Sequence, residues 1–202
     1  MDRWSKRKIK PSRKSRQKFA AYHGTTREFA AFDLNKTTFG IHVGTKEQAQ
    51  SFIGVGGGRI LKLDVKLKNP LRLPDLGEWD IGDIVEQLSQ NPATADIQNP
   101  AFIEVPYRDY WGYFRQELMK RGYDGIVYLN REEGIDREQR NAIYAVVGRR
   151  KFAGYPPDSE IMKLAPSARD SYIVFDPADI VVEEEQKCWR ADRSGNLQYE
   201  CE

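Results

Sequence analysis

Tyr22-His23-Gly24-Thr25-Thr26 closes a short apolar run, Phe19-Ala20-Ala21-Tyr22, and sets an imidazole beside a backbone that carries no Cβ. A histidine at a strand exit can donate or accept a hydrogen bond at neutral pH. The glycine after it lets a flat ligand approach a peptide N–H and C=O closely. The only other histidine, His42, lies in Gly40-Ile41-His42-Val43-Gly44 and is also flanked by glycine. Two groups of acids sit next to strand-like runs. Glu132-Glu133 precedes Gly134, and Asp170 precedes Ser171-Tyr172-Ile173-Val174-Phe175. Taken alone, each has a plainer use: a turn histidine, a solvated or helix-opening pair of glutamates, an aspartate in a turn. No His/Cys/carboxylate set has metal-ligand spacing, so no metal is expected.

The elements that must hold these residues follow from periodicity. Ile60 to Leu67 is the clearest strand, with Leu61, Leu63, Val65 and Leu67 on one face and Lys62, Asp64 and Lys66 on the other. Thr45 and Gln48 form a capping box for a helix over Lys46 to Ile53, ended by the glycine run 54–58. That run follows a helix and precedes a strand, the reverse of a dinucleotide fingerprint, and reads as a connection. Apolar stripes predict helices over Asp80 to Leu88, about Tyr107 to Arg121 with Gly122 as its stop, and Arg137 to Val147. Ile126 to Leu129 and Tyr172 to Phe175 read as buried strands. Pro156, Pro157 and Pro166 predict an irregular 151–168 segment. A terminal hairpin over Val181 to Glu200, turning at Ser194-Gly195-Asn196, brings Cys188 and Cys201 toward one another. The irregular alternation, with helices concentrated in the first two thirds, favours an α+β domain of two small mixed sheets over a doubly wound sheet.

The 202 residues carry a net charge of +2, but the charge is uneven. Nine of the 32 basic residues lie within positions 1–18 against the single acid Asp2, which leaves 23 basic and 29 acidic residues in the rest. The reading is a basic, disordered arm over 1–18 and one domain over 19–202. The arm suits either nucleic-acid contact or a solubilising linker. No apolar run approaches the length of a membrane span, and the N-terminus lacks the apolar core of a secretory signal. Two late cysteines do not make a disulfide framework. A cytoplasmic setting is expected, and delivery by a route without a cleavable signal stays compatible with the sequence.

In order along the chain, Tyr22-His23-Gly24-Thr25, then 40–45 before an Ala-containing helix, then 122–134 (Gly-Tyr-Asp-Gly-Ile-Val-Tyr-Leu-Asn-Arg-Glu-Glu-Gly), then 170–177 (Asp-Ser-Tyr-Ile-Val-Phe-Asp-Pro) resemble an ADP-ribosyltransferase. The resemblance is to the branch of poly(ADP-ribose) polymerases and diphtheria toxin, particularly the compact domains of phage polyvalent proteins and bacterial toxins. It covers about Phe19 to Val182. It implies a split β-sheet with NAD in the cleft, NAD as donor substrate, no metal, and a protein or nucleic-acid acceptor.

Residue by residue, the resemblance implies that His23 bonds the adenosine ribose and that the Gly24 backbone reads the nicotinamide carboxamide. Thr25 steadies the turn or the ribose. His42 falls where relatives place a stacking tyrosine; Phe52 is the alternative aromatic wall, although residue type alone makes it core. The acid that relatives place directly before the Tyr-Ile-Val strand is Ser171 here. Glu132 and Glu133 follow the Tyr-Leu-Asn strand; Glu133 fits best and Asp170 is the reserve. A carboxylate is wanted because breaking the nicotinamide–ribose bond builds an oxocarbenium-like cation, and it can also orient or deprotonate the acceptor. Two other classes share this grammar. An RNA 2′-phosphotransferase would use both histidines with Arg59 or Arg149 on phosphate, and an inactive module would bind NAD or nucleic acid without turnover.

Overall fold

The computed structural model describes residues 17–37, 39–53, 57–147, 155–191 and 198–201. Alternating apolar residues build the first sheet around β3 (Gly58–Leu67), which pairs antiparallel with β1 (Gln17–Thr25) and with β7 (Ile180–Ala191). The hairpin partner β8 (Gln198–Cys201) completes the order β1-β3-β7-β8. Leu61, Leu63, Val65 and Leu67 are all buried on the face that the alternation predicts. The second sheet runs β2 (Ile41–Val43), β6 (Asp170–Val174), β5 (Gly125–Leu129), β4 (Leu71–Arg72). Only its β4–β5 pair is parallel. The expectation of two mixed sheets is therefore corrected: the first is antiparallel throughout, because hairpin connections and long returns leave it no parallel neighbour.

Three layers of core hold these sheets. Ala21, Leu61, Leu63 and Val65 of the first sheet meet Ile41, Val43 and Val174 of the second, so the inner faces share one cluster. On the far side of the second sheet, α2 (Ile81–Gln90) and α3 (Tyr110–Lys120) bury Ile84, Leu88, Phe114 and Leu118 against Leu71, Ile126, Ile173 and Phe175. The helix α1 (Lys46–Ile53) lies on the outer face of the first sheet, where Ala49 and Ile53 pack on Ile60 and Cys188. Its capping box forms as expected: Thr45 Oγ1 accepts from Gln48 N at 3.3 Å, and Gln48 Oε1 accepts from Thr45 N at 2.7 Å. Asp80 caps α2 by accepting from Asp83 N at 2.9 Å, and Gly122 ends α3 at φ 85°.

Some boundaries move. β1 continues through His23 and Gly24 to Thr25, and it starts at Gln17, so Gln17 and Lys18 belong to the domain and Lys18 pairs with Asp64 at 2.5 Å. A 3-10 turn, Tyr107–Asp109, replaces the expected first turn of α3. The proline-rich segment contains a helix, α5 (Asp158–Leu164), packed with α4 (Arg137–Val147) through Ile161 and Ile143. Pro157 sits at its N-cap position, where a missing N–H costs nothing. These two helices extend helical structure into the last third. In the hairpin, Cys188 stands opposite Cys201 and is disulfide-bonded. Disulfides persist in oxidising compartments, a feature that the cytoplasmic expectation does not account for. Among the described residues, no helix is long and apolar enough to cross a membrane. Arm residues 1–16, Gly54 to Gly56, Arg149 and the turn Ser194-Gly195-Asn196 lie outside the described residues.

Candidate active site in the split between the sheets

Among the described residues, one antiparallel bridge joins the backbones of the two sheets. Tyr22 N donates to Gly44 O at 2.8 Å, and Gly44 N donates to Tyr22 O at 2.9 Å. Continued by one step, that ladder would pair Gly24 with His42. Instead the His23 ring takes the His42 carbonyl, with Nδ1 at 2.7 Å from His42 O. A carbonyl can only accept, so Nδ1 carries the proton. Burial is the main cause that pushes the His23 pKa below its ordinary value, and nearby Arg59 adds to it. The ring is then neutral at pH 7, with Nε2 as an acceptor. Phe32 and Phe29 pack edge-on against it at 5.2 and 6.2 Å between centroids.

The same splay turns Gly24 into a recognition edge. Successive strand residues direct their N–H and C=O to opposite sides. Since Tyr22 faces Gly44, Gly24 faces the same edge, where the second sheet has turned away. The reason for glycine differs from the expected one. A Cβ here would lie 2.2 Å from the Ala49 carbonyl oxygen, so α1 fills the space on that side. Thr25 is buried, and its Oγ1 accepts from Arg27 N at 3.1 Å; it steadies the turn and does not line the cleft.

Aromatic rings form the wall beyond β2. Trp79 and Tyr128 pack at 4.8 Å and 62°, and His42 lies edge-on to both at 6.3 and 6.5 Å. His42 Nδ1 is 3.4 Å from Tyr128 OH. Trp79 (φ 54°) and Phe39 (φ 61°) are the only non-glycine residues at positive φ among those described, and their rings are neighbours at 6.3 Å. Backbone strain is therefore concentrated behind this wall, as it often is at functional sites. Phe52, which residue type alone assigned to the core, is 64% exposed and lines the rim.

The acid arrives on the loop after β5. Asn130 Oδ1 accepts from Glu132 N and Glu133 N, both at 2.9 Å, which folds the loop back on itself. Asn130 Nδ2 donates to Glu133 Oε2 at 2.6 Å. Gly134, at φ 75°, closes the turn and donates to Ser51 Oγ at 3.1 Å. A Cβ there would meet Gln48 Cγ at 2.9 Å, so the loop presses on α1. Burial pushes the Glu133 pKa up, Asp75 and Glu132 add to it, and the Asn130 amide opposes them. Asp75 is also raised, mainly by burial, although Arg131 N donates to it at 2.8 Å and Gly77 N at 2.9 Å. Glu132 receives the Tyr144 hydroxyl.

His23, Gly24, His42, Phe52, Glu132 and Glu133 thus line one cleft of about 370 Å³. Asp75, Glu78, Glu132 and Glu133 supply four carboxylates, and no lysine or arginine is among its described lining residues. Asp170 is elsewhere: it faces a second cavity and pairs with Arg72 Nη1 at 2.8 Å. Arg59 is engaged by Glu185 at 2.9 Å and by the Arg27 carbonyl at 2.6 Å. No group of three or more potential metal ligands occurs among the described residues. Sequence reasoning missed Asp75, Trp79, Tyr128 and Asn130. Of these, only Asn130 had a local signal, an Asx residue ahead of Glu-Glu-Gly. In comparisons with family models, curated proteins and solved structures, no match to this chain was found.

Proposed function

We propose that the protein is an NAD-dependent ADP-ribosyltransferase of split-sheet type, with NAD held in the cleft as donor substrate. The observation that carries this reading is the convergence of three groups on one cleft: the Gly24 peptide edge, the neutral His23 ring and the Glu133 carboxylate. Gly24 N–H and C=O offer a strand-like pair of hydrogen bonds to the nicotinamide carboxamide. His23 Nε2 accepts from a hydroxyl of the adenosine ribose. The Trp79, Tyr128 and His42 rings flank the nicotinamide, whose pyridinium charge suits a cleft of carboxylates and aromatic faces. The diphosphate then lies toward solvent.

Glu133 bonds the 2′-hydroxyl of the nicotinamide ribose. As the C1′–N bond breaks, its electron pair leaves with neutral nicotinamide, and the carboxylate stabilises the cation left at C1′. The acceptor forms the new bond at C1′ and gives its proton to Glu133 or to water. The acceptor is a macromolecule, and the basic arm is proposed to bring the domain to nucleic acid by neutralising phosphates. Of the two arginines that the phosphotransferase reading would place on phosphate, Arg59 is engaged with Glu185 and Arg27, and Arg149 lies outside the described residues.

The test is nicotinamide release and transfer of labelled ADP-ribose to separated protein, DNA and RNA fractions. Release and labelling by the wild-type chain, both lost in Glu133→Gln, are expected; absence of release from wild type overturns the reading. Deleting residues 1–16 is expected to leave NAD hydrolysis intact. It should also weaken any nucleic-acid binding and flatten its salt dependence.

A further inference from the structure

Asn130 uses all of its polar capacity inside the candidate site. It is 3% exposed, its Oδ1 takes two backbone N–H groups, and its Nδ2 divides between Glu133 Oε2 and Ser171 Oγ, the latter at 3.0 Å. The two backbone donors fix which atom is oxygen, because an N–H cannot bond the amide nitrogen. An asparagine that only shaped a turn would need no more than Oδ1. Here the other end of the amide reaches a carboxylate that lines the cleft, and is braced against β6.

We propose that Asn130 is the positioning residue that fixes the Glu133 carboxylate for reaction, with Ser171 as its brace. The proposal rests on the reading of Glu133 as the acid of ADP-ribosyl transfer. Glutamate has three side-chain torsions, and no lysine or arginine is among the described residues that line its cleft. Backbone and carboxylate are both held from one rigid amide plane, so loop position and carboxylate orientation are set together. Ser171 occupies the strand position before Tyr172, and the Asn130 link lets an acid from the neighbouring loop be held against that position.

The ionisable groups that line the cleft with Glu133 are Asp75 and Glu78 after β4, Glu132 beside it, Tyr128 on β5, His42 on β2, and Tyr22 and His23 on β1. Asp75 and Glu132 disfavour its charge; the Asn130 N–H is the larger of the two neutral donors that favour it, the other being Glu133's own backbone N–H. Losing that donor therefore raises the pH at which Glu133 ionises.

The experiment uses the full chain, with kcat and KM for NAD hydrolysis against pH, and with Glu133 titration followed by carboxylate NMR. Asn130→Ala is expected to lower kcat by ~10- to 100-fold, the scale of lost outer-shell support. KM should stay within about twofold, and the acid limb and the Glu133 titration should both move upward by about one pH unit. Combined with Glu133→Gln, it should add little further loss, because the two act as a unit. Asn130→Asp keeps the turn and places a second carboxylate at Glu133, and should move the limb further. Ser171→Ala should shift both in the same direction by less. An unmoved titration in Asn130→Ala, or additive losses with Glu133→Gln, overturns the proposal. Should Asn130→Ala not fold, an unmoved Glu133 titration in Ser171→Ala overturns it instead. If wild type releases no nicotinamide, the transferase reading fails while the titration still decides the role of Asn130.

Discussion

Two cavities lie back to back across the Tyr22–Gly44 bridge, and they treat the same residue types in opposite ways. The second, about 860 Å³, has Lys46, Arg72 and Arg169 among its lining together with Glu47, Asp158 and Asp170. There Arg72 binds Asp158 at 2.6 Å and Asp170 at 2.8 Å, and all three side chains are more than a third exposed. The first cavity has four carboxylates; Asp75 faces the Arg131 guanidinium at 3.9 Å, while Glu133 and Glu132 have neutral partners, an amide and a phenol. An exposed ion pair satisfies its charges and leaves little chemistry behind. A half-buried carboxylate held only by neutral donors keeps its affinity for protons and for developing cations. The contrast separates Glu133 from Asp170 more sharply than their sequence surroundings do.

The largest expected effect tests that separation directly. Glu133→Gln should lower transfer by ~10²-fold or more, as for loss of one preorganised electrostatic contact. Asp170→Asn should leave it within about twofold. A dead Asp170→Asn with a near-normal Glu133→Gln would reverse the roles of the two cavities.

Next in size is a steric contrast. Gly24→Ala puts a methyl against the Ala49 carbonyl oxygen and should cost about 1–3 kcal/mol in thermal or denaturant unfolding. Ala20→Ser, at an exposed position lining the second cavity, should stay within about 0.5 kcal/mol. Equal losses would show that α1 yields at Gly24.

A smaller effect concerns pH. The folded Glu133 pKa lies above its unfolded value, so ionisation destabilises the fold. That cost is absent below the unfolded pKa and grows to its full size as pH rises through the folded one. Glu133→Gln should therefore raise Tm at neutral pH. The gain should fade as pH falls toward 4, the region of an ordinary glutamate. A gain independent of pH would mean that packing, and not charge, distinguishes the site.

Least of all, Arg72→Ala should cost under ~1 kcal/mol, because its ion pairs are open to solvent. A larger loss would place the second cavity among the structural centres of the fold.

Local signals made much of the fold legible. The Thr45–Gln48 box, the β3 alternation and the Gly122 stop each lie within a few residues of what they control. The α5 helix escaped because Pro156 and Pro157 read as breakers when one of them sits at the helix entry. At the candidate site, His23, Gly24 and His42 stood out by type and spacing, and Glu133 only through the family resemblance. Asp75, Trp79 and Tyr128 did not, because their roles depend on which strands become neighbours. The surroundings of Asp170, the reserve acid, were hidden for the same reason: its partner Arg72 is far away in sequence and meets it only across the second sheet. Phe52 faces out because the tilt of α1, set by the Gly24–Ala49 approach, is a tertiary property.

The backbone bridge between the sheets also has a mechanical meaning. Two hydrogen bonds at one point, backed by the apolar cluster that the inner faces share, make Tyr22–Gly44 the pinned end of the cleft. The His23–His42 bond lies on the cleft side of that pin and acts as a latch. A molecule spanning from Gly24 to Glu133 would work as a strut at the open end. Its bracing would be read as slower hydrogen exchange at the Tyr22 and Gly44 amides.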